Sequence, residues 1–216
     1  MAQSLQFKAN CRACPRLSHH LDEVKAQFPD YFSRPVPPFG DRAAQLLIVG
    51  LAPGLHGANR TGRPFTGDFA GILLYETLYD FGFASRAEST SADDGLRLTN
   101  CRITNAVKCL PPANKPNTDE IKTCNAFLRA ELETMPQQSA VLALGSIAHQ
   151  SVLRALELRQ KDFAFAHGAQ HQLPTGWTLF DSYHCSRYNT QTKRLTTEMF
   201  RAIFRKLTDF LNRMNE

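Results

Sequence analysis

Four short apolar runs punctuate the chain: Leu46 to Gly50, Arg102 to Lys108 around Ile103 and Val107, Ala140 to Gly145, and Trp177 to Tyr183. Runs of this length, bounded by turn residues, predict strands buried on both faces of a parallel sheet. Helical spacing fills the intervals. Leu17, Leu21, Val24 and Phe28 mark a helix over Arg16 to Phe28, and Phe69, Ile72, Leu73, Leu78 and Tyr79 mark one over Phe69 to Phe83. Ile121, Cys124, Leu128 and Leu132 share a face of a third helix, for which Thr118 is the expected N-cap, with Asp119 and Glu120 in its first turn. Ser146 is expected to cap a fourth helix, reaching about Leu158. Leu195, Met199, Ile203, Leu207, Phe210, Leu211 and Met214 form the apolar face of the last. The proline-bearing stretch from Pro29 to Gly40 predicts an extended connector, Ala84 to Leu98 a polar loop, and Phe163 to Gln172 edge structure or a hairpin arm. Strand and helix alternate, so the expectation is an α/β fold with a parallel sheet covered on both faces. No linker divides the 216 residues, and a single domain over residues 1–216 is expected.

The loop after the first strand changes the picture. It reads GLAPGLHGANRTGRPFTGD from Gly50 to Asp68. Open α/β sheets bind ligands at the carboxyl ends of their strands, and long connections are usually functional. Glycine lets a ligand approach the backbone, and Arg60 and Arg63 suit phosphate. The loop is no P-loop, because the GxxxxGK[ST] lysine is absent. The plainer reading is a surface connection rich in turn formers. In a parallel sheet the segments at Asn105 and His184 share an edge with this loop. Asn105 offers an amide able to read a base edge, His184 a donor for a developing anion, Phe65 a stacking ring, and Asp68 a carboxylate for water or a cation. Singly, each has a plain alternative: a structural histidine, a helix-capping aspartate, a core phenylalanine. Their recurrence after three strands makes them a candidate site.

Composition adds two points. Lys and Arg number 25 against 20 Asp and Glu, a net charge of +5, which leans towards an anionic partner or is only a solvated basic surface. No apolar run is long enough to span a bilayer, and the N-terminal stretch lacks a secretory h-region. A cytoplasmic location with reduced thiols is expected. Of the six cysteines, Cys11 and Cys14 form a C-x₂-C pair, and Cys109 and Cys124 are separated by fourteen residues. Four thiolates suit zinc or a [4Fe–4S] cluster, or are simply buried thiols. The second pair lacks the two-residue spacer of zinc ribbons, which favours the cluster. Cys101 and Cys185 are read as free.

Three stretches together resemble the uracil-DNA glycosylase superfamily, and within it the iron–sulfur-containing family 5, the "b" type: Gly50–Asp68, NAVKCLPPANKP at Asn105–Pro116, and HxSxxNTxTxRLT at His184–Thr196. The four cysteines match that family's cluster ligands in order and spacing. The resemblance runs from Cys11 to about Leu211. It implies a three-layer α/β/α fold on a central four-stranded parallel sheet, and excision of uracil and related damaged bases from DNA. It also implies a structural [4Fe–4S] cluster on Cys11, Cys14, Cys109 and Cys124, with zinc as the alternative. The family usually has proline where this chain has Cys185, which bears on the placement of Ser186 to Asn189. Many superfamily members carry an acidic or amide residue where this chain has Ala52, a departure that family 5 shares.

The expected roles follow. Asn105 holds the base edge, Phe65 stacks, His184 donates to the leaving base, and Asp68 positions water or stabilises the sugar cation. Leu51, Ala52, Pro53 and Gly54 lie beside the flipped nucleotide, with Asn59 and Asn189 as lesser polar contributors. Tyr188 in Ser186-Arg187-Tyr188 is a candidate wedge for the space left by the base, or merely a surface aromatic. Arg60, Arg63, Arg187, Lys193 and Arg194 are candidate phosphate contacts. No lysine stands ready for a Schiff base, so a monofunctional enzyme is expected, acting as a monomer on DNA with no membrane partner. The rival expectations are a non-catalytic iron–sulfur damage sensor and a nucleotide-handling hydrolase.

Overall fold

The computed structural model describes residues 7–214; the first six residues, within the stretch read as lacking a signal, and the side chain of Met214 lie outside the description. The chain runs α1 (Pro15–Gln27), β1 (Phe39–Gly40), β2 (Leu46–Gly50), α2 (Ala58–Thr61), α3 (Phe69–Asp80), β3 (Cys101–Asn105), α4 (Thr118–Leu132), β4 (Ala140–Leu144), α5 (Ser146–Ala155), β5 (Gln170–Gln172), β6 (Thr178–Ser182), α6 (Arg187–Gln191) and α7 (Thr197–Met214). Two single 3₁₀ turns lie at Pro112–Asn114 and Gln160–Asp162.

The four expected strands lie side by side in the order β3-β2-β4-β6, all parallel. The sheet nevertheless has six strands, not four, because β1 and β5 add antiparallel edges against β3 and β6. These edges are two and three residues long, too short to show a period of two in sequence. All residues of the four central strands are buried. One face packs on α3 and α7 through Leu74, Leu78, Phe200, Phe204 and Leu207, and the other on α4 and α5 through Leu128, Leu132, Val152 and Leu153. The result is three layers, α/β/α.

Two caps differ from expectation. Asn117, not Thr118, caps α4 in a reciprocal box with Glu120: Glu120 N–H donates to Asn117 Oδ1, and Asn117 N–H donates to Glu120 Oε2, each at 2.8 Å. Ser146 does not cap α5; Gly145 occupies that position with φ +101°, a conformation that suits glycine at the turn from β4 into the helix. Among the described residues, no helix is long and apolar enough to cross a membrane.

Candidate active site

The parallel register sets Gly50 directly opposite Asn105, so the end of β2 and the end of β3 open together. Gly50 is glycine for a spatial reason. A Cβ there would lie 2.5 Å from both Asn105 Oδ1 and the Phe65 ring. Ala106 and Val107 N–H then donate to Gly50 and Leu51 carbonyls, at 2.9 Å each, extending the pairing past both strand ends. Phe65 has φ +55°, a sparsely occupied conformation for a side-chain-bearing residue. Its neighbours hold it there: Tyr75 Oη donates to Pro64 O at 2.8 Å, and α3 approaches so closely that a Cβ on Gly71 would meet Phe65 O at 1.8 Å. Its ring stacks on His184, with centroids 5.8 Å apart.

Asp68 is the N-cap of α3. Its Oδ1 accepts from Gly71 N–H at 3.0 Å. Its Oδ2 turns towards Gly54 and Gly57, where a Cβ on Gly57 would lie 2.4 Å away. The cap thus engages Oδ1, while Oδ2 faces the glycine-rich loop. Burial raises the Asp68 pKa above the usual carboxylate value, against the pull of the Gly71 and Ala70 N–H groups. Burial pushes His184 down to about 4, so its imidazole is neutral at physiological pH.

These groups share one cavity of about 360 Å³, whose lining includes Leu51, Ala52, Gly54, Phe65, Asp68, Phe69, Asn105, Asn114, His184, Ser186 and Arg187. It shares Gly54, Asp68, Phe69, Asn114 and Arg187 with a groove of about 1110 Å³ that passes His56, Arg60 and Glu88. The model of the uracil DNA glycosylase superfamily matches residues 37–208, which hold the whole pocket. The chain belongs to the uracil-DNA glycosylase superfamily. It is 49% identical to a type-5 uracil-DNA glycosylase of Thermus thermophilus, covering 91% of each chain. It is 41% identical to a type-5 enzyme of Pyrobaculum aerophilum, over 91% of this chain and 87% of that one. Similarity to a type-4 uracil-DNA glycosylase of Archaeoglobus fulgidus is 34% over 69% of this chain and 61% of the other.

Within this superfamily member, several expected contacts fall elsewhere. Arg63 faces inward rather than towards the groove. It is 4% exposed, pairs with Asp94 at 2.7 Å, donates to Ser89 Oγ and Ala92 O, and lies over the Phe39 ring. Asp94 also collects the N–H groups of Thr90, Ser91 and Leu96. The pair thus fastens the polar loop to the glycine-rich one, and Arg63 is withdrawn as a phosphate contact. Asn59 is fully buried outside the pocket lining; its backbone O accepts from Ser33 N–H and its backbone N–H donates to Gly54 O, at 3.0 Å each. Asn189 braces its own loop by donating from Nδ2 to His184 O at 2.8 Å. Arg194 covers the Tyr183 ring. Arg60 and Arg187 do reach the groove, with Arg187 over Phe69. Ser186 caps α6, and Tyr188 projects from it, 71% exposed. Pro53 is buried and does not line the cavity. Asn114 had no assigned role in sequence; two successive residues at positive φ, Ala113 and Asn114, bring it to the pocket lining. The prolines around it were the available signal of an unusual turn.

Cys11, Cys14, Cys109 and Cys124 surround one small cavity within an apolar shell of Phe7, Leu17, Val107 and Phe127. Four thiols in an apolar shell are a donor set that suits zinc or an iron–sulfur centre. Burial, then the charge of neighbouring thiolates, pushes the Cys109 thiol up; burial also raises Cys14 and Cys124. Cys101 and Cys185 are buried away from this cavity, and Cys185 packs in the core beneath the His184 loop.

Proposed function

We propose that this chain flips uracil out of DNA and hydrolyses its N-glycosidic bond, leaving an abasic site. The observation that carries the reading is the convergence of Phe65, Asp68, Asn105 and His184 on one cavity at the edge of a groove bearing Arg60 and Arg187. A base within a duplex is out of reach of any such cavity, so it must leave the stack. Phe65 offers its ring to the flipped base and Asn105 its amide to the base edge. As the C1′–N bond breaks, its electron pair departs with the base, and the sugar becomes cationic. His184, neutral and fixed against Phe65, donates a hydrogen bond to the base oxygen where charge gathers. Asp68, in the lining of the same cavity, serves the opposite charge. It stabilises the cation and orients the water whose oxygen forms the new C1′–O bond, while that water's proton passes to solvent or base.

The same reading assigns a [4Fe–4S] cluster to Cys11, Cys14, Cys109 and Cys124, favoured by the thiol set and its spacing. Bound there, the cluster supplies a covalent cross-link between the N-terminal segment, the β3 exit and α4. The linkage is close to the pocket: Lys108 N–H donates to Cys124 Sγ, and Ala52 packs on the apolar shell of the cysteines. Its role is structural. Tyr188 is the wedge, and Arg60 and Arg187 the phosphate contacts. Lys108 Nζ is bonded to Thr104 Oγ1, Asn105 O and Glu131 Oε1, outside the cavity lining. This favours a monofunctional enzyme. The reading further takes the chain as a monomer with a single domain over residues 1–216. Ala52 leaves room for related bases such as hydroxymethyluracil, ethenocytosine and hypoxanthine.

The test is release of free uracil from an oligonucleotide carrying a single uracil. Release with an intact abasic site supports the reading. Binding without release favours a damage sensor, action on dUMP alone favours a nucleotide hydrolase, and a borohydride-trapped adduct overturns the monofunctional mechanism.

A further inference from the structure

Outside the pocket lining, His149 of α5, His171 of β5 and Asp181 of β6 bring one donor atom each within 4.8 Å of the others. Asp181 is completely buried. Its Oδ1 lies 2.7 Å from His149 Nδ1. Its Oδ2 lies 3.4 Å from His171 Nε2, and both of these atoms are buried without a hydrogen-bond partner. Two unsatisfied polar atoms facing each other in the interior are costly unless something joins them. The second nitrogen of His149 is already committed, with Nε2–H donating to Phe163 O at 2.9 Å. An Nε2–H held by a backbone carbonyl is the outer-shell arrangement of metal-bound histidines, and it leaves Nδ1, now hydrogen-bonded to Asp181, as the nitrogen that can exchange its proton for a metal. Phe163 and Phe165 stand edge-on to His171 and His149.

We propose that His149 Nδ1, His171 Nε2 and Asp181 form a zinc site, separate from both the pocket and the cysteines. Two nitrogens and a carboxylate oxygen suit a borderline divalent cation, and zinc accepts three protein ligands with a water as the fourth. Ligands at about 2.0–2.2 Å in a tetrahedron stand roughly 3.4 Å apart. The His171–Asp181 separation already meets this, and His149 needs to withdraw by less than about 1 Å. The ion clips α5 and the edge strand β5 to β6, three residues before His184. The site therefore braces the strand that delivers the imidazole to the pocket.

The test uses the full chain, wild type and His171→Ala. His171 lies on a three-residue edge strand, where truncation leaves the sheet core intact. Each protein is equilibrated with Zn²⁺, dialysed against metal-free buffer and analysed for zinc and iron in the same sample. The expected result is one additional zinc per wild-type chain, absent from His171→Ala at equal iron content. Zinc should also raise the melting temperature of the wild type alone. Zinc-edge anomalous scattering from wild-type crystals locates the ion without any variant. Equal zinc in both proteins, none in the wild type, or an anomalous peak only at the cysteines overturns the proposal. None of these results depends on uracil excision.

Discussion

The Phe65 ring lies against the His184 imidazole, 5.8 Å between centroids and 26° between planes. The two residues come from opposite halves of the chain and meet only because β2 and β6 flank β4 and end on the same edge. This contact fixes the imidazole's direction and covers one of its faces, consistent with a histidine that stays neutral.

Asp68→Asn separates stability from chemistry. Asparagine caps a helix about as well as aspartate, so α3 keeps its N-terminus. The folded Asp68 pKa is raised by burial. The carboxylate therefore costs stability above its folded pKa, and that cost disappears as falling pH protonates it. Removing the charge should leave the melting temperature at neutral pH unchanged or higher, while single-turnover excision falls by ~10²-fold or more. The wild-type rate should climb with pH through the raised Asp68 pKa and then level, because His184 stays neutral down to about 4. The variant should lose that limb. Full excision by Asp68→Asn would remove Asp68 from the mechanism.

Gly50→Ala places a methyl 2.5 Å from Asn105 Oδ1 and from the Phe65 ring. Neither neighbour can withdraw without leaving the pocket wall. The expected cost is about 1–3 kcal/mol of stability from overpacking. A much larger fractional loss of excision should accompany it, read by thermal melting beside a uracil-release assay on the folded protein.

Arg63→Ala and Arg187→Ala should fail in opposite ways. The first strands Asp94 in the interior, and breaking one partner of a buried pair costs about 3–5 kcal/mol. Its melting temperature should fall by on the order of 10 °C, with DNA affinity of the folded protein retained. The second should melt normally yet bind duplex more weakly, with a salt slope smaller by about one unit. Fluorescence anisotropy across a salt series, beside melting curves, distinguishes them.

Cys109→Ser should yield protein with reduced iron and lost brown absorption, and a lower melting temperature. Cys101→Ser should keep its iron, since that thiol lies in a different core. Metal analysis that finds zinc in place of iron in the wild type would reject the cluster.

Much of the pocket was legible because its residues follow strands directly. Asn105 ends β3, and His184 stands two residues past β6. A parallel sheet delivers both to one edge, whatever the details of the loops. The glycine-rich loop was legible from its length and composition. Arg63 was not, because its partner Asp94 lies thirty-one positions away in a loop without periodicity. Arg60 and Arg63 look alike in sequence; only the loop packed over the second tells them apart. His149, His171 and Asp181 were equally invisible, being scattered over two strands and a helix with no common spacing.

Local patterning by itself determined the four parallel strands, most of the helices and the strand ends that line the cavity. Burial periodicity and chain direction are properties of neighbouring residues, so they survive in one dimension. Tertiary structure decided which polar side chains face the cavity and which tie the frame together. It also set the two edge strands, and the close approach that requires glycine at position 50. Those outcomes depend on distances between segments far apart in sequence, and such distances exist only once the layers have packed.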